Sequence, residues 1–352
     1  MASLPPDAYW TRRAAMRQGA YDQLDNRMLR QLSRAYDEAH AEISAEIQRL
    51  IARYAKRWGL SHRDAMMILQ EPTTPAEWRR LRKLVAALED SPIKGSIEAR
   101  LNAPGYRYRI SNLEALQESA NAICAKLGTK ELELGRNVLE DVGKEAYMRT
   151  AYDMQHGMEL GWNASGISER RLRLILRENW SGSPYSERVW GNTRKLSEKL
   201  NRSITTGLMA GKDHKRIVRE LMHEFGVGKF AAERLVVTET AYVANQAELE
   251  SYMDSGVERY QFIAVFDEKT SEICRAHSSK VYRVEDAKPG VNVPPLHPWC
   301  RSTIVPVYDD SWLEKTTFAV KDRKGKVVEI PGTWNYARWE EWQAAGCPPI
   351  AA

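Results

Sequence analysis

The sequence predicts an α+β protein, in which a long, mainly helical body is followed by a small C-terminal α+β module with short strands. As far as Ser255, apolar residues recur at steps of three and four, which is typical of amphipathic helices. After Gly256 the pattern changes to short runs of aromatic and β-branched residues, which are typical of strands. Helix-rich and strand-rich regions are thus separated along the chain, and this separation indicates the α+β class.

Composition excludes several classes of protein. The 352 residues include 52 Lys and Arg against 47 Asp and Glu, and 43% are hydrophobic, so a folded chain is expected. No run approaches the roughly 18 apolar residues of a membrane span. The first 13 residues hold no apolar stretch of the kind a secretory signal needs. Four cysteines do not make a disulfide framework, so a reducing, intracellular origin without a membrane partner is expected.

The first third of the chain predicts helices. One long helix is expected from Pro6 to about Trp58, because an apolar face recurs without an interrupting proline. A second helix is expected from Ser61 to Leu69. Thr74 is a good N-cap for a third, with Pro75 at its first position. The apolar face of the long helix consists of Leu24, Met28, Leu32, Tyr36, Ile43, Ile47, Leu50, Ile51 and Tyr54.

Four further segments complete the predicted helical body. Helices are expected from Ser111 to about Trp162 and from Ser186 to Leu208. A short helix follows Asp213, and Gly226–Lys229 is predicted as a turn before a last helix from Phe230 to Ser255.

The strand-like region predicts a small sheet and a hairpin. Strands are expected at Tyr260–Phe266, Val281–Val284 and Ser302–Val307. Phe318–Val320 and Lys326–Ile330 flank a polar turn and predict a hairpin. The tail carries Trp334, Trp339 and Trp342, which are expected to act as packing or interface anchors.

These patterns suggest four domains or segments. They are an N-terminal helical region (1–105), a basic helical middle domain (106–225), a module with a Cys/His motif (226–310) and a hairpin with a Trp-rich tail (311–352). The stretch 167–229 holds 14 Lys and Arg against 7 Asp and Glu. That excess fits solvated helix faces, and it also fits a surface for DNA phosphates or an acidic partner. Charge alone does not separate these interpretations.

The densest group of chemically active residues lies between Asp267 and Arg301. It contains Cys274-x2-His277 and then His297-x2-Cys300. Two short-spaced pairs separated by a loop are what a tetrahedral zinc site needs, and thiolate and imidazole both suit zinc. The alternative is that the cysteines are small buried hydrophobes and the histidines cap turns. If all four bind, the metal site is closed, which favours a structural zinc over a catalytic one.

The same stretch resembles a known family. Asp-x-x-Thr-Ser-x-x-Cys at Asp267–Cys274 and Pro-Pro-x-His-Pro-x-Cys-Arg at Pro294–Arg301 are similar to the phage minor head protein, or head-morphogenesis, family that includes Mu protein F-like proteins. Thr238-Glu239 is similar to the Arg-Thr-Glu helix of that family, although Val237 replaces its arginine. Ser302 stands where the family often has a further cysteine. The resemblance covers about 182–307, and it makes Thr270, Ser271, Glu239 and Pro295 motif residues.

The resemblance implies a structural minor capsid protein of a tailed phage or prophage. Such a protein acts in procapsid assembly at the portal vertex and in DNA packaging or ejection, with no catalytic residues. The implied partners are the portal protein and capsid or scaffolding proteins, with phage DNA as a further candidate. The implied location is the virion, in the capsid interior or at the portal vertex, after assembly in the host cytoplasm.

The residues also support their own interpretation and leave two alternatives. Asp267 and Arg301 are expected to form an ion pair between the two loops, while Thr270 and Ser271 suit a helix cap and turn. One alternative function is a metal-dependent enzyme acting on nucleic acid, with Asp267 as base. The other is a zinc-stabilised binding module. An enzyme needs an open metal position, which a four-ligand set does not offer.

Overall fold

Long helices dominate the chain. The structure, a computed structural model, describes residues 9–55, 67–158, 165–307, 317–322, 326–331, 334 and 336–350. The helices are α1 (Tyr9–Ala55), α2 (Pro75–Ala86), α3 (Pro92–Leu101), α4 (Tyr106–Arg109), α5 (Asn112–Met158), α6 (Glu169–Arg177), α7 (Tyr185–Met209), α8 (His214–Asp254), α9 (Glu272–His277) and α10 (Tyr336–Ala344). The strands are β1 (Arg259–Ile263), β2 (Val281–Arg283), β3 (Thr303–Val307), β4 (Thr317–Lys321) and β5 (Val327–Pro331).

The predicted α+β class is confirmed. The helical body comes first, and the strands follow it in a small C-terminal region. β1 lies at the centre of a three-stranded sheet in the order β2-β1-β3, and both pairings are antiparallel. β4 and β5 form the predicted antiparallel hairpin. The predicted helix at Ser61–Leu69 falls largely outside the described residues.

The chain divides into two compact units that interleave along the sequence. One consists of Met1–Arg27, Asn137–Tyr185 and Arg234–Ala352, and it carries the sheet. The other consists of Met28–Arg136 and Ser186–Glu233. They are called the sheet unit and the helical unit below. The four-part division of the sequence stays a prediction.

The helical unit contains the predicted Thr74 cap and one helix that the sequence analysis missed. The Glu77 backbone N–H donates to Thr74 Oγ1 at 3.2 Å, and Pro75 begins α2 as expected. Ser91 and Pro92, where no helix was predicted, repeat this arrangement. Ser91 Oγ accepts from the Lys94 backbone N–H at 3.1 Å, and α3 follows. An N-cap followed by proline is therefore the signal that starts both helices.

The predicted turn at Gly226–Lys229 is wrong, because α8 is continuous from His214 to Asp254. Gly228 serves close helix packing instead. A Cβ atom there would lie 3.2 Å from side-chain carbons of Leu196 and 3.3 Å from the ring of Tyr36. The missing side chain lets the helix backbone approach its neighbours, so the glycine keeps the helix in place rather than ending it.

A buried ionic network links three helices within the sheet unit. The Arg17 guanidinium of α1 donates to Asp153 of α5 at 2.5 Å and to both carboxylate oxygens of Glu248 of α8 at 3.1 and 3.3 Å. Tyr21 donates to Glu248 at 3.0 Å, and Arg13 donates to the second oxygen of Asp153 at 2.5 Å. The side chains of Arg17, Asp153 and Glu248 are 2%, 0% and 1% exposed. Such a network fixes the position of α1 on α5 and α8 only while every charge has its partner.

Asp25 is a buried carboxyl group in α1 of the same unit. Thr240 of α8 donates to it at 2.6 Å, and no cation among the described residues lies within ion-pair distance of it. Burial raises the pKa of Asp25 from 3.8 to about 7; the Thr240 hydrogen bond opposes this rise and the charge of Asp22 adds to it. The protonated form is therefore preferred in the folded protein below a pH of about 7.

Asp25→Asn is expected to stabilise the protein increasingly as the pH rises. The neutral carboxyl imposes no penalty below the unfolded pKa near 4, and the penalty grows until the pH passes the folded pKa of about 7. The stability gain of the variant over wild type should be about 2–3 kcal/mol larger at pH 8 than at pH 5. Urea unfolding at both pH values measures it. Asp37→Asn, at an exposed position of the same helix, is the control. A gain that does not change with pH would exclude this role for Asp25.

Candidate metal centre

The antiparallel register brings the two halves of the Cys/His motif to one end of the sheet. β1 pairs with β3 from Arg259↔Val307 to Ile263↔Thr303. The residues that follow Ile263 and those that precede Thr303 consequently lie at the same end of the sheet. α9, which carries Cys274, comes after β1, while His297 and Cys300 come just before β3. The sheet topology thus positions both segments.

Three potential metal ligands converge at this end of the sheet. Cys274 Sγ lies 3.3 Å from His297 Nε2 and 3.6 Å from Cys300 Sγ, and the three ligand atoms all lie within 4.8 Å of one another. Zinc–sulfur bonds of about 2.3 Å and zinc–nitrogen bonds of about 2.0 Å at tetrahedral angles require separations of roughly 3.5–3.8 Å between ligand atoms. The observed spacing is close to that requirement, so these three residues could bind a metal ion.

The other nitrogen of His297 supports this interpretation. Nδ1 lies 2.8 Å from the carbonyl oxygen of Pro298, a geometry in which the N–H donates and Nε2 keeps its lone pair for a metal. Ligating histidines commonly donate their second nitrogen to a carbonyl or carboxylate in this way. The turn itself is tight, because the Cys300 backbone N–H donates to the His297 carbonyl at 3.2 Å and Trp299 adopts φ +62°.

The electrostatics favour a thiolate at Cys300. The hydrogen bond between the two sulfurs lowers the pKa of Cys300, and the backbone N–H groups of Leu296 and Ser302 act in the same direction. The same hydrogen bond, together with burial, raises the pKa of Cys274. A thiolate is the form of cysteine that binds metals.

His277, the fourth predicted ligand, does not join the three. Its Nδ1 lies 2.7 Å from the hydroxyl of Tyr282 on β2, and its ring packs 5.5 Å from that of Phe262. Burial, with a smaller effect from the charge of Lys280, lowers the pKa of His277. Of the four residues singled out in the sequence, the structure thus brings together Cys274, His297 and Cys300.

The predicted ion pair between Asp267 and Arg301 is present. Arg301 donates to both carboxylate oxygens of Asp267 at 2.6 and 2.7 Å, and this contact lowers the pKa of Asp267. Asp267 also accepts from the Lys269 backbone N–H at 3.0 Å and from the Thr270 hydroxyl at 3.1 Å. Ser271 caps α9 by accepting from the Cys274 backbone N–H at 3.4 Å. These contacts hold the loop that leads into α9, which carries Cys274, against the turn that carries Cys300.

The Thr238-Glu239 motif of α8 secures the neighbouring loops. Trp180 Nε1 donates to Glu239 at 3.2 Å, and the indole stacks on Tyr242 with ring centroids 4.9 Å apart. The Trp299 backbone N–H donates to Thr238 Oγ1 at 3.3 Å. Neither Trp180 nor Tyr242, which lies one helical turn beyond Thr238, was predicted as a site residue. Pro295, the remaining motif residue, follows Pro294 through a cis peptide bond.

A groove of about 640 Å³ in the helical unit offers no comparable chemistry. Acidic and basic side chains of α1 and α5 line it beside apolar residues such as Leu84 of α2, and Lys126 and Glu42 form an ion pair of 2.6 Å. None of the described residues that line this groove is a cysteine or a histidine. Within the described part of the chain, the Cys274, His297 and Cys300 group is the one cluster of at least three His, Cys, Asp or Glu residues that could hold a metal ion.

Comparison with known proteins confirms the resemblance found in the sequence. Residues 198–305, from within α7 to within β3, match the family described as Phage Mu protein F like protein. No curated protein and no solved structure matches the chain. The match relates this segment of the chain to phage proteins of that family. Among the described helices, none has a stretch long and apolar enough to cross a membrane.

Proposed function

We propose that this chain, which carries a Phage Mu protein F-like segment at residues 198–305, is a structural minor head protein that acts during procapsid assembly at the portal vertex. The observation that carries this proposal is the family match, which spans both halves of the Cys/His motif and the Thr238-Glu239 helix. The portal protein and capsid or scaffolding proteins are the proposed partners. Its proposed location is the capsid interior or portal vertex, after assembly in the host cytoplasm.

The contacts of the motif residues support a structural role. Asp267 and Arg301 neutralise each other, and Glu239 accepts a hydrogen bond from Trp180. Each of these charged groups ties one segment of the module to another. The side chains that give the family its signature therefore hold loops in position, as expected of a module that must present a fixed surface to a partner.

Phage DNA is a further proposed partner. α7 exposes Arg194, Lys195 and Arg202, for which no acidic partner is found among the described residues. They lie in the basic stretch identified in the sequence, and Lys195 and Arg202, seven residues apart, lie on the same side of the helix. Unpaired cations of this kind are available to phosphate groups inside a DNA-filled shell.

We also propose that the metal of the Cys/His cluster is zinc and that it stabilises the module. Two thiolates and one imidazole are soft and borderline ligands, which select zinc over calcium or magnesium. Zinc would link the helix that follows β1 to the turn that precedes β3. This linkage supports the fold without requiring chemistry.

Sedimentation of lysate from cells producing the phage or prophage tests the assembly role. The chain should co-migrate with capsid-sized particles in a density gradient, while a soluble host protein stays near the top. Treating half of the lysate with DNase separates the two kinds of partner. Retention on DNA-free procapsids indicates a protein partner, and loss after the treatment indicates attachment through DNA alone. Recovery only among free soluble proteins in both halves would exclude the proposed function.

A further inference from the structure

The Cys/His cluster supplies three ligands, one fewer than tetrahedral zinc coordination requires. Cys274, His297 and Cys300 converge, whereas the Nδ1 atom of His277 is bound to Tyr282. Closed structural zinc sites have four protein ligands, and sites with three keep a position for water or another exchangeable ligand. The number of converging ligands therefore distinguishes two kinds of site.

A small cavity opens beside the cluster. Its volume is about 20 Å³, and Cys274 and His297 both line it. A cavity needs roughly 10–15 Å³ measured in this way to hold one water molecule, so one ligand of water size fits. Hydrogen-bonding groups are also present, because the cavity is lined by Thr270, Ser271 and Ser302. Bound water requires two to four such polar neighbours.

The charges around the cavity favour an anion in that position. Lys269 and Arg301 line the cavity. A zinc ion bound by two thiolates and a neutral imidazole carries no net charge. Arg301 is already paired with Asp267, whereas Lys269 is exposed and has no acidic partner among the described residues. One uncompensated cation thus remains at the rim.

We propose that the metal is held by three ligands of this chain and binds a fourth, exchangeable ligand in this cavity. That ligand is water, and small monodentate anions can displace it. The proposal rests on the zinc site proposed above and goes beyond it, because a position open to exchange is absent from closed structural sites. It also removes ligand count as the reason to exclude metal-dependent chemistry at this cluster.

His277 is the competing fourth ligand. It follows Cys274 by three residues in α9, so both side chains lie on the same side of that helix. To bind the metal, its ring would have to give up either the Tyr282 hydrogen bond or its present orientation. A histidine ligand in this place would close the site to small anions.

Cobalt substitution of the full chain distinguishes the two arrangements. Co²⁺ bound by thiolates gives a charge-transfer absorption band, and its ligand-field bands respond to a change of ligand. Titration with azide should shift the ligand-field bands of the wild type with saturation. His277→Ala should retain the cobalt affinity, the spectrum and the azide response. His297→Ala should weaken cobalt binding by at least about ten-fold, since even partners of ligands cost that much.

Two results would contradict the proposed exchangeable position, and they lead to different conclusions about the metal site. Cobalt bound with a thiolate band but without an azide response, together with a loss of affinity in His277→Ala, would show a closed four-ligand site and leave the zinc proposal standing. No thiolate band in the wild type would remove the metal site as a whole. Neither result bears on whether the chain sediments with capsid-sized particles.

Discussion

Arg17→Met lowers the free energy of unfolding by about 3–5 kcal/mol, the cost of leaving buried charges without their partner. Arg17 supplies the cation between two carboxylates that water hardly reaches, since Asp153 is 0% exposed and Glu248 is 1% exposed. Methionine fills a similar volume and cannot donate a hydrogen bond. Among the described residues, the Tyr21 hydroxyl at 3.0 Å is then the remaining hydrogen-bond partner of the Glu248 side chain. Urea unfolding at neutral pH measures the loss.

Arg13→Met is the matched control for this change. Arg13 also donates to Asp153, but its side chain is 23% exposed, against 2% for Arg17, and Asp153 keeps Arg17 as its cation when Arg13 is removed. The control is therefore expected to cost less than Arg17→Met, because it leaves no buried carboxylate without a cation. Equal losses in the two variants would show that removing an arginine from α1, rather than leaving a buried charge unpaired, determines the effect.

The Arg17→Met deficit should also shrink in acid. Burial already raises the pKa of Glu248, and Arg17 opposes that rise. Without the guanidinium, the neutral form of Glu248 becomes still more favoured in the folded protein. The penalty for its charge is therefore full at high pH and disappears as the pH falls toward the unfolded pKa of Glu248. Arg17→Met/Glu248→Met should recover part of the loss at pH 7, because the buried carboxylate goes with its partner.

This network could not be read from the sequence. Arg17 lies 136 residues from Asp153 and 231 residues from Glu248, and each residue has ordinary helical neighbours. Periodicity gives the apolar face of a helix but not the polar residues that face a distant helix. Asp25 and Thr240, which are 215 residues apart, escaped notice for the same reason.

Local signals predicted most of the helices and strands and failed where packing overrides them. Thr74-Pro75 correctly marked the start of α2, whereas no helix was predicted at Ser91-Pro92, which carries the same signature. Gly228 was interpreted as a turn because glycine is common in turns. In the fold it allows Leu196 and Tyr36 to approach the helix backbone, which only the tertiary structure shows.

The sequence predicted which two segments meet at the site, but it did not predict which of their residues converge as ligands. Spacing predicted that Cys274 and Cys300 meet, and they do, with their sulfurs 3.6 Å apart. The same spacing predicted both His277 and His297 as ligands. Tyr282, which contributes the hydroxyl next to His277, lies on β2, and the two-pair motif does not include it. A short motif thus indicates which loops meet, whereas the orientation of each ring depends on what packs around it.

Cys300→Ser abolishes the stabilisation that zinc gives to the sheet unit. An ion supplied at about 1,000 times its Kd stabilises the folded state by about 4 kcal/mol, and a serine hydroxyl is a poor replacement for a thiolate ligand. The wild type should therefore melt at a higher temperature with zinc than with a chelator, while Cys300→Ser melts at the same temperature in both.

Cys347→Ser is the matched control, because Cys347 lies outside the cluster and donates to Gln343 at 3.3 Å, a bond that a hydroxyl can keep. It should respond to zinc as the wild type does. A Cys300→Ser variant that loses the same stability with and without the chelator, and a wild type that carries no zinc after purification in its presence, would show that the thiol only fills space in the core.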